Sequence, residues 1–257
     1  DVGRRMSGQG GGMALEDFGS LIRPMVMGVG DLAGVDGSSF VLPSGTVSFL
    51  LTDVAGSTLA WQAHPDVMRE VIARHYELLD TVIARHGGVR PVEQGEGDSV
   101  VAAFPRASDA IAAAFEAQSE IRSEPWPGGV ELSVRMAVHT GEALQRDGGN
   151  YVGTAIIRTA RIRSAGHGGQ ILVSDAAASV AGDRLPPGAV LVDLGSHRLK
   201  DLARPERIWE LRHPDLAVVQ DHDAAVLTAI AVEHPDFEII EPVFHRFLVR
   251  RTVPDPA

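Results

Sequence analysis

Asp53 closes the run Thr46–Thr52 (TVSFLLT) and is followed by Val54-Ala55-Gly56-Ser57-Thr58. The run is β-branched and apolar, which predicts a buried strand. The small residues after it predict a tight turn into a helix capped by Ser57 or Thr58. Such a turn exposes successive backbone N–H groups, and the helix N-terminus adds the positive end of a dipole. The amides from Val54 through Ala55 and Gly56 to Ser57 then form a phosphate cradle with a carboxylate at its lip. A second carboxylate, Asp98, stands in Gln94-Gly95-Glu96-Gly97-Asp98-Ser99, at the tip of a predicted hairpin between 89–94 and 99–104. If the first and third predicted strands are neighbours, as in a split βαβ sheet, Asp53 and Asp98 meet. Two adjacent carboxylates without a basic partner repel, and a Mg²⁺ or Mn²⁺ ion relieves this. Taken singly, each aspartate also fits a plain cap or turn role.

The elements that must position these residues are legible from pattern. Apolar residues at helical spacing run through 65–86, ended by Gly87-Gly88, and an Ala-rich helix is predicted over 107–122. Strands are predicted at 131–140, 170–173, 190–194 and 207–211, with helices near 153–165 and 174–181. The leading order, β-α-β-β-α-β, is a ferredoxin-like α+β sheet with helices on one face; the other face must be covered or used. Residues 1–44 are expected to be a flexible N-terminal extension, with a short amphipathic helix over 13–27. Residues 45–213 form the expected catalytic unit, and 214–257 a C-terminal extension with a helix expected at 221–233.

Composition excludes several classes. The chain has 257 residues, a net charge of −11 and no cysteine. Disulfides, thiolate nucleophiles and cysteine-ligated metals are therefore out, which fits a reducing, cytoplasmic setting. The acidity gives no basic footprint for direct nucleic-acid binding, and no helix-turn-helix is visible. No stretch approaches a membrane span of about 18 apolar residues. The histidines lack zincin spacing, and no G-x-S-x-G elbow exists. His139 is read as a structural hydrogen-bonding residue, and the arginines of 153–165 as a solvated basic face, Arg161 excepted.

Six segments together carry a resemblance: GTVSFLLTDVAGST (45–58), HGGVRPVEQGEGDSVVAAF (86–104), VRMAVHTGEA (134–143), NYVGTAIIRTARI (150–162), HGGQILVSDA (167–176) and LGSHRLKDLARPERIWEL (194–211). Their order and spacing resemble the class III nucleotidyl cyclase catalytic domain, in the bacterial branch often fused to transcriptional regulators. The resemblance implies that Asp53 and Asp98 hold two divalent cations, Mg²⁺ or Mn²⁺. It places the triphosphate on the 54–57 amides, the base-reading position on Gln94 with Asn150 as its partner, and the charge-stabilising arginine on Arg161. Lys200 falls near a lysine that meets the terminal phosphates. It further implies a head-to-tail homodimer with two composite sites, the aspartates from one protomer and Gln94, Asn150 and Arg161 from the other. A heterodimer with another cyclase-like chain is the variant of that arrangement.

One position departs from the family. A Val-Asn-x-Ala-Ala-Arg pattern is expected, and the chain has Ile156-Ile157-Arg158-Thr159-Ala160-Arg161. The asparagine that orients the ribose is therefore Ile157, which offers no hydrogen bond. The expected activity, nucleoside triphosphate (ATP) to 3′,5′-cyclic nucleotide and pyrophosphate, is accordingly weak or lost. The alternative is a catalytically silent domain that binds nucleotide and dimerises.

Overall fold

The computed structural model describes residues 42–92, 97–146 and 149–216, together with the backbone of Phe237–Val243 and Arg246–Arg251. The expected helices at 13–27 and 221–233, and the residue Gln94, lie outside the described residues.

The elements run β1 (Gly45–Val54), α1 (Ser57–Ala63), α2 (Pro65–Arg85), β2 (Val100–Phe104), α3 (Ala107–Ser123), β3 (Val134–Arg146), β4 (Asn150–Val152), α4 (Thr154–Ala165), β5 (Ile171–Ser174), α5 (Asp175–Ala181), β6 (Val190–His197), β7 (Glu206–Arg212), β8 (Phe237–Val243) and β9 (Arg246–Arg251). The main sheet has the order β2-β1-β3-β5-β7-β6, with β4 paired to the far end of β3. β1 is antiparallel to both neighbours, and only β3 and β5 run parallel. β8 and β9 form a separate antiparallel pair.

β1 and β3 occupy the centre because both of their faces are apolar. Leu50 and Val54 on one face of β1, with Met136 and Val138 of β3, pack under α2, α3 and α5. Val47, Phe49 and Leu51 on the other face pack with Tyr151, Ala155, Ile156 and Ala160. A continuous apolar run is the signature of a strand covered twice. The face left open by the first helical layer is thus covered by α4, whose Ile162 also packs on Ala137 and Leu172.

The hairpin expected before β2 is reduced. Val89 exchanges both backbone bonds with Ala103, N–H to carbonyl at 2.9 Å and the reverse at 2.8 Å, and that single bridge is all of the ladder among the described residues. Pro91 follows two residues on, and without an N–H it cannot extend the pairing. β3, by contrast, continues past the expected end at 140 because Leu144, Gln145 and Arg146 pair with β4.

Two histidines are sealed into this core. His75 on α2 lies between Tyr76 and Trp126, and neither ring nitrogen has a hydrogen-bond partner. Burial, helped by the Arg90 charge, pulls its pKa down to about 4. His139 on β3 bonds the Ser174 hydroxyl through Nδ1 at 2.8 Å, and that hydroxyl caps α5 by accepting the Ala177 N–H. Burial, with Arg158 adding to it, brings His139 to about 4 as well. Both rings are neutral in the native state, while the unfolded chain protonates below its ordinary value of about 6.5. Stability is therefore complete above about 6.5 and falls as the pH drops towards 4, by about 3 kcal/mol per histidine at the lower end. Urea melts at pH 7 and pH 4.5 should show His75→Leu losing less than the parent by roughly that amount. An identical pH dependence in the two proteins would contradict it.

Candidate active site

Asp53 is the last outward residue on the α4-covered face of β1, in line with Val47, Phe49 and Leu51. Its cross-strand partner on β3 is Arg135. The two side chains form a fork: Arg135 Nε donates to Oδ1 at 2.9 Å and Nη2 to Oδ2 at 2.6 Å. Directly opposed residues on one face are the pairs a sheet brings closest, so register alone makes this contact. A third group arrives from α4, where Arg163 Nε stands 3.7 Å from Asp53 Oδ1.

Asp98 comes from the turn before β2. Because Thr52 pairs with Val100, the start of β2 lies beside the end of β1. Asp98 Oδ2 accepts the Val54 N–H at 2.7 Å. Tyr76 on α2 donates its hydroxyl to the Gly97 carbonyl and so fixes the residue before it. Burial raises the Asp98 pKa, the Val54 amide opposes this, the Asp53 charge raises it further and the Ser57 hydroxyl lowers it. The two aspartates are therefore brought together at the β1–α1 turn and sense each other's charge.

The repulsion expected between unpartnered carboxylates is relieved within the chain. Arg135 and Arg163 are the basic partners, and neither had a motif reason to be chosen. Arg163 is not on a solvated face: its side chain is only 17% exposed. Its Nη1 donates to the Thr52 carbonyl at 3.1 Å and the Ser99 hydroxyl at 3.2 Å. Burial lowers its pKa, against the opposing pull of Asp53. Helical spacing carried the signal, since Ile156, Ala160 and Arg163 follow one flank of α4 and the first two pack on β1. A charge on a packed flank requires a partner.

The phosphate cradle is narrower than the sequence suggests. The Val54 N–H is taken by Asp98, and the Ala55 N–H donates to the Ser133 carbonyl at 2.8 Å. Gly56, with φ 73°, turns the chain into α1 in a left-handed conformation that glycine adopts without strain. The amides of Gly56 and Ser57 belong to the first helical turn, where N–H groups have no acceptor within the helix.

The remaining expected residues lie elsewhere on the chain. Asn150 begins β4 opposite Arg146 and is buried. Ile157 and Arg161, one helical turn apart, share the outer flank of α4, and Ile157 is 50% exposed. Arg161 Nη2 donates to Asp201 Oδ2 at 2.5 Å, while its buried Nε has no hydrogen-bond partner. Lys200 is exposed in the same turn as Asp201. Arg161 and Lys200 thus come to one place, the Asp201 turn.

The donor set fits a hard divalent cation in chemistry: two carboxylates with oxygen ligands near a turn of exposed amides. Among the described residues no cluster of three or more acidic or histidine side chains exists, so the remaining ligands would have to be water and substrate oxygens. No helix among the described residues is long and apolar enough to cross a membrane.

Comparison with known proteins bears on the family and the fold. Residues 41–200 match the model of the adenylate and guanylate cyclase catalytic domain. An uncharacterised protein of Mycobacterium tuberculosis is 47% identical over 174 residues, 68% of this chain and 58% of that one. The chain therefore spans somewhat over half the length of these relatives. An adenylate cyclase of Podospora anserina is 30% identical over 156 residues, covering 51% of this chain and 7% of that protein. Among solved structures, an adenylate/guanylate cyclase/hydrolase from Silicibacter pomeroyi superposes with a TM-score of 0.56 at 30% identity, over 66% of this chain and 96% of that one. The chain belongs to the adenylate and guanylate cyclase catalytic-domain family.

Proposed function

We propose that residues 45–213 form a class III cyclase domain that converts ATP slowly to 3′,5′-cyclic AMP and pyrophosphate, working as a head-to-tail pair. The observation that carries this reading is the convergence of Asp53 and Asp98 at the β1–α1 turn, where Asp98 holds the Val54 amide at 2.7 Å. Asp53 and Asp98 would hold the divalent cations, Mg²⁺ or Mn²⁺. Ions held there would supply neutralisation of the triphosphate charge and acidification of the ribose 3′-hydroxyl. The Gly56 and Ser57 amides receive phosphate oxygens at the start of α1. Gln94 and Asn150 of the second protomer read the purine edge, since an amide offers both a donor and an acceptor. The 3′-hydroxyl gives its proton to solvent, its oxygen bonds to the α-phosphorus, and the bond to the pyrophosphate oxygen breaks so that pyrophosphate leaves. Arg161, released from Asp201, meets the charge developing on that phosphoryl group, with Lys200 on the terminal phosphates.

Ile157 favours a second reading. It stands one turn from Arg161 on the same flank and puts a branched apolar side chain where a ribose hydrogen bond is required, which suits a silent domain that binds nucleotide and dimerises. Incubation with Mn²⁺ and either ATP or GTP, with detection of the cyclic product, separates the two. Cyclic AMP is expected from the parent and none from Arg161→Ala. No product, with Mn²⁺-dependent nucleotide binding retained, would leave the silent reading. Absence of both product and binding would overturn each.

A further inference from the structure

The Arg163 guanidinium is joined by hydrogen bonds to the residue before one aspartate and to the residue after the other. Its Nη1 donates to the Thr52 carbonyl at 3.1 Å and to the Ser99 hydroxyl at 3.2 Å. Its Nε lies 3.7 Å from Asp53 Oδ1, within ion-pair reach, and makes no hydrogen bond although it is buried. Arg135 already gives each Asp53 oxygen one hydrogen bond in a two-bond fork. Arg163 is therefore not needed to satisfy that carboxylate. It places a second positive charge, loosely held on the carboxylate side, beside the acid pair. A buried N–H without an acceptor costs free energy, so nothing in hydrogen bonding alone favours leaving Nε there. What favours it is the field of two neighbouring carboxylates, the same field that attracts a cation.

We infer that Arg163 is a tethered counter-cation that competes with divalent metal for the Asp53–Asp98 pair, so that metal loads only when the guanidinium gives way. The inference rests on the reading of that pair as the ion site. It makes the site selective against low cation concentrations. Two carboxylates already balanced by Arg135 and Arg163 present little net negative charge to an approaching Mn²⁺. Removing one guanidinium restores that charge. Hydrogen bonding of Nη1 to the Thr52 carbonyl and the Ser99 hydroxyl ties the end of β1 to the turn before β2 and holds the planar guanidinium beside the acid pair until it gives way as a unit. The residue is thus a positioning group that acts through the aspartates and touches no reacting atom.

Free Mn²⁺ measured by electron paramagnetic resonance, without nucleotide, tests this directly. Arg163→Gln should tighten Mn²⁺ binding by about tenfold or more, because a unit charge a few ångströms away is removed. Arg163→Lys, which keeps the charge, should stay within about threefold of the parent. Asp53→Asn should abolish binding in the parent and in the Arg163→Gln background alike. Unchanged affinity in Arg163→Gln, with Asp53→Asn still abolishing binding, would overturn the inference and leave the ion site standing. Mn²⁺ binding that survives both Asp53→Asn and Asp98→Asn would overturn the ion site, and the inference with it. Should Arg163→Gln fail to fold, the parent carries the test by nuclear magnetic resonance. Saturating Mg²⁺ should shift the Arg163 Nε–H signal, assigned by its loss in Arg163→Lys, and speed its exchange with water; an unmoved signal overturns the proposal.

Discussion

Ile157→Asn is expected to raise cyclic AMP formation in Mn²⁺ by about 10²-fold, the scale of one hydrogen bond made in the transition state. The substitution is structurally easy. Ile157 is half exposed on the outer flank of α4, away from Ala155, Thr159 and Ile162, which form the buried stripe of that helix. Asparagine costs a few tenths of a kcal/mol in helix propensity, a small change for a single site. The gain should appear mainly in kcat, since the bond orients the 3′-oxygen for attack and contributes less to ground-state binding. The readout is the initial rate of product formation at saturating ATP, parent against variant. A rate unchanged within threefold, in a protein that still binds nucleotide, would mean that Ile157 is not what limits the site.

The two aspartates should part company when each is neutralised. Asp53→Asn leaves Arg135, whose side chain is 27% exposed, and the more deeply set Arg163 without their anion. Removing one partner of a largely buried pair strands the other, and a loss of about 2 kcal/mol is expected here because the pair is not fully sealed. Asp98→Asn acts the other way. Its carboxyl is pushed up by burial and by Asp53, which means that its ionised form is disfavoured in the native state. A group whose native pKa is raised weakens the fold above that pKa and strengthens it as the pH falls through it. The amide keeps an oxygen for the Val54 N–H, so Asp98→Asn should be as stable as the parent or slightly more so at pH 7. Both variants should nonetheless lose Mn²⁺-dependent nucleotide binding. Thermal melts and fluorescent-nucleotide titrations of the same two proteins check the pair of signs; equal destabilisation by both would contradict the assigned environments.

Much of this arrangement was legible before any coordinates. The doubly apolar TVSFLLT run marked a strand buried in the sheet, and the alternation from Val134 to Val138 marked its neighbour. The meeting of Asp53 and Asp98 followed from placing 99–104 beside β1, which the register bears out. What pattern does not contain is register across strands distant in sequence. Arg135 faces Asp53 only because Val54 pairs with Val134, and nothing local announces that pairing. Arg163 was misjudged for a related reason: three arginines within six residues suggested a solvated face. The flank of α4 that carries Arg163 became an inner flank only once the second face of the sheet was known to be covered by that helix. The shortfall of the hairpin before β2 was readable in principle, since Pro91 interrupts it. The composite arrangement proposed for Gln94, Asn150 and Arg161 with the aspartates would belong to a pairing of chains, and the pattern within one chain does not encode such a pairing.

The charge balance around Asp53 has a further consequence for how the molecule is made. Two guanidinium groups already stand against Asp53 at this end of the sheet, so its negative charge has partners within the chain. On the proposed ion-site reading, the chain would complete its architecture in a metal-poor environment and take up its inorganic complement afterwards, as a separate event, in contrast to small metallodomains that stay unstructured until loaded.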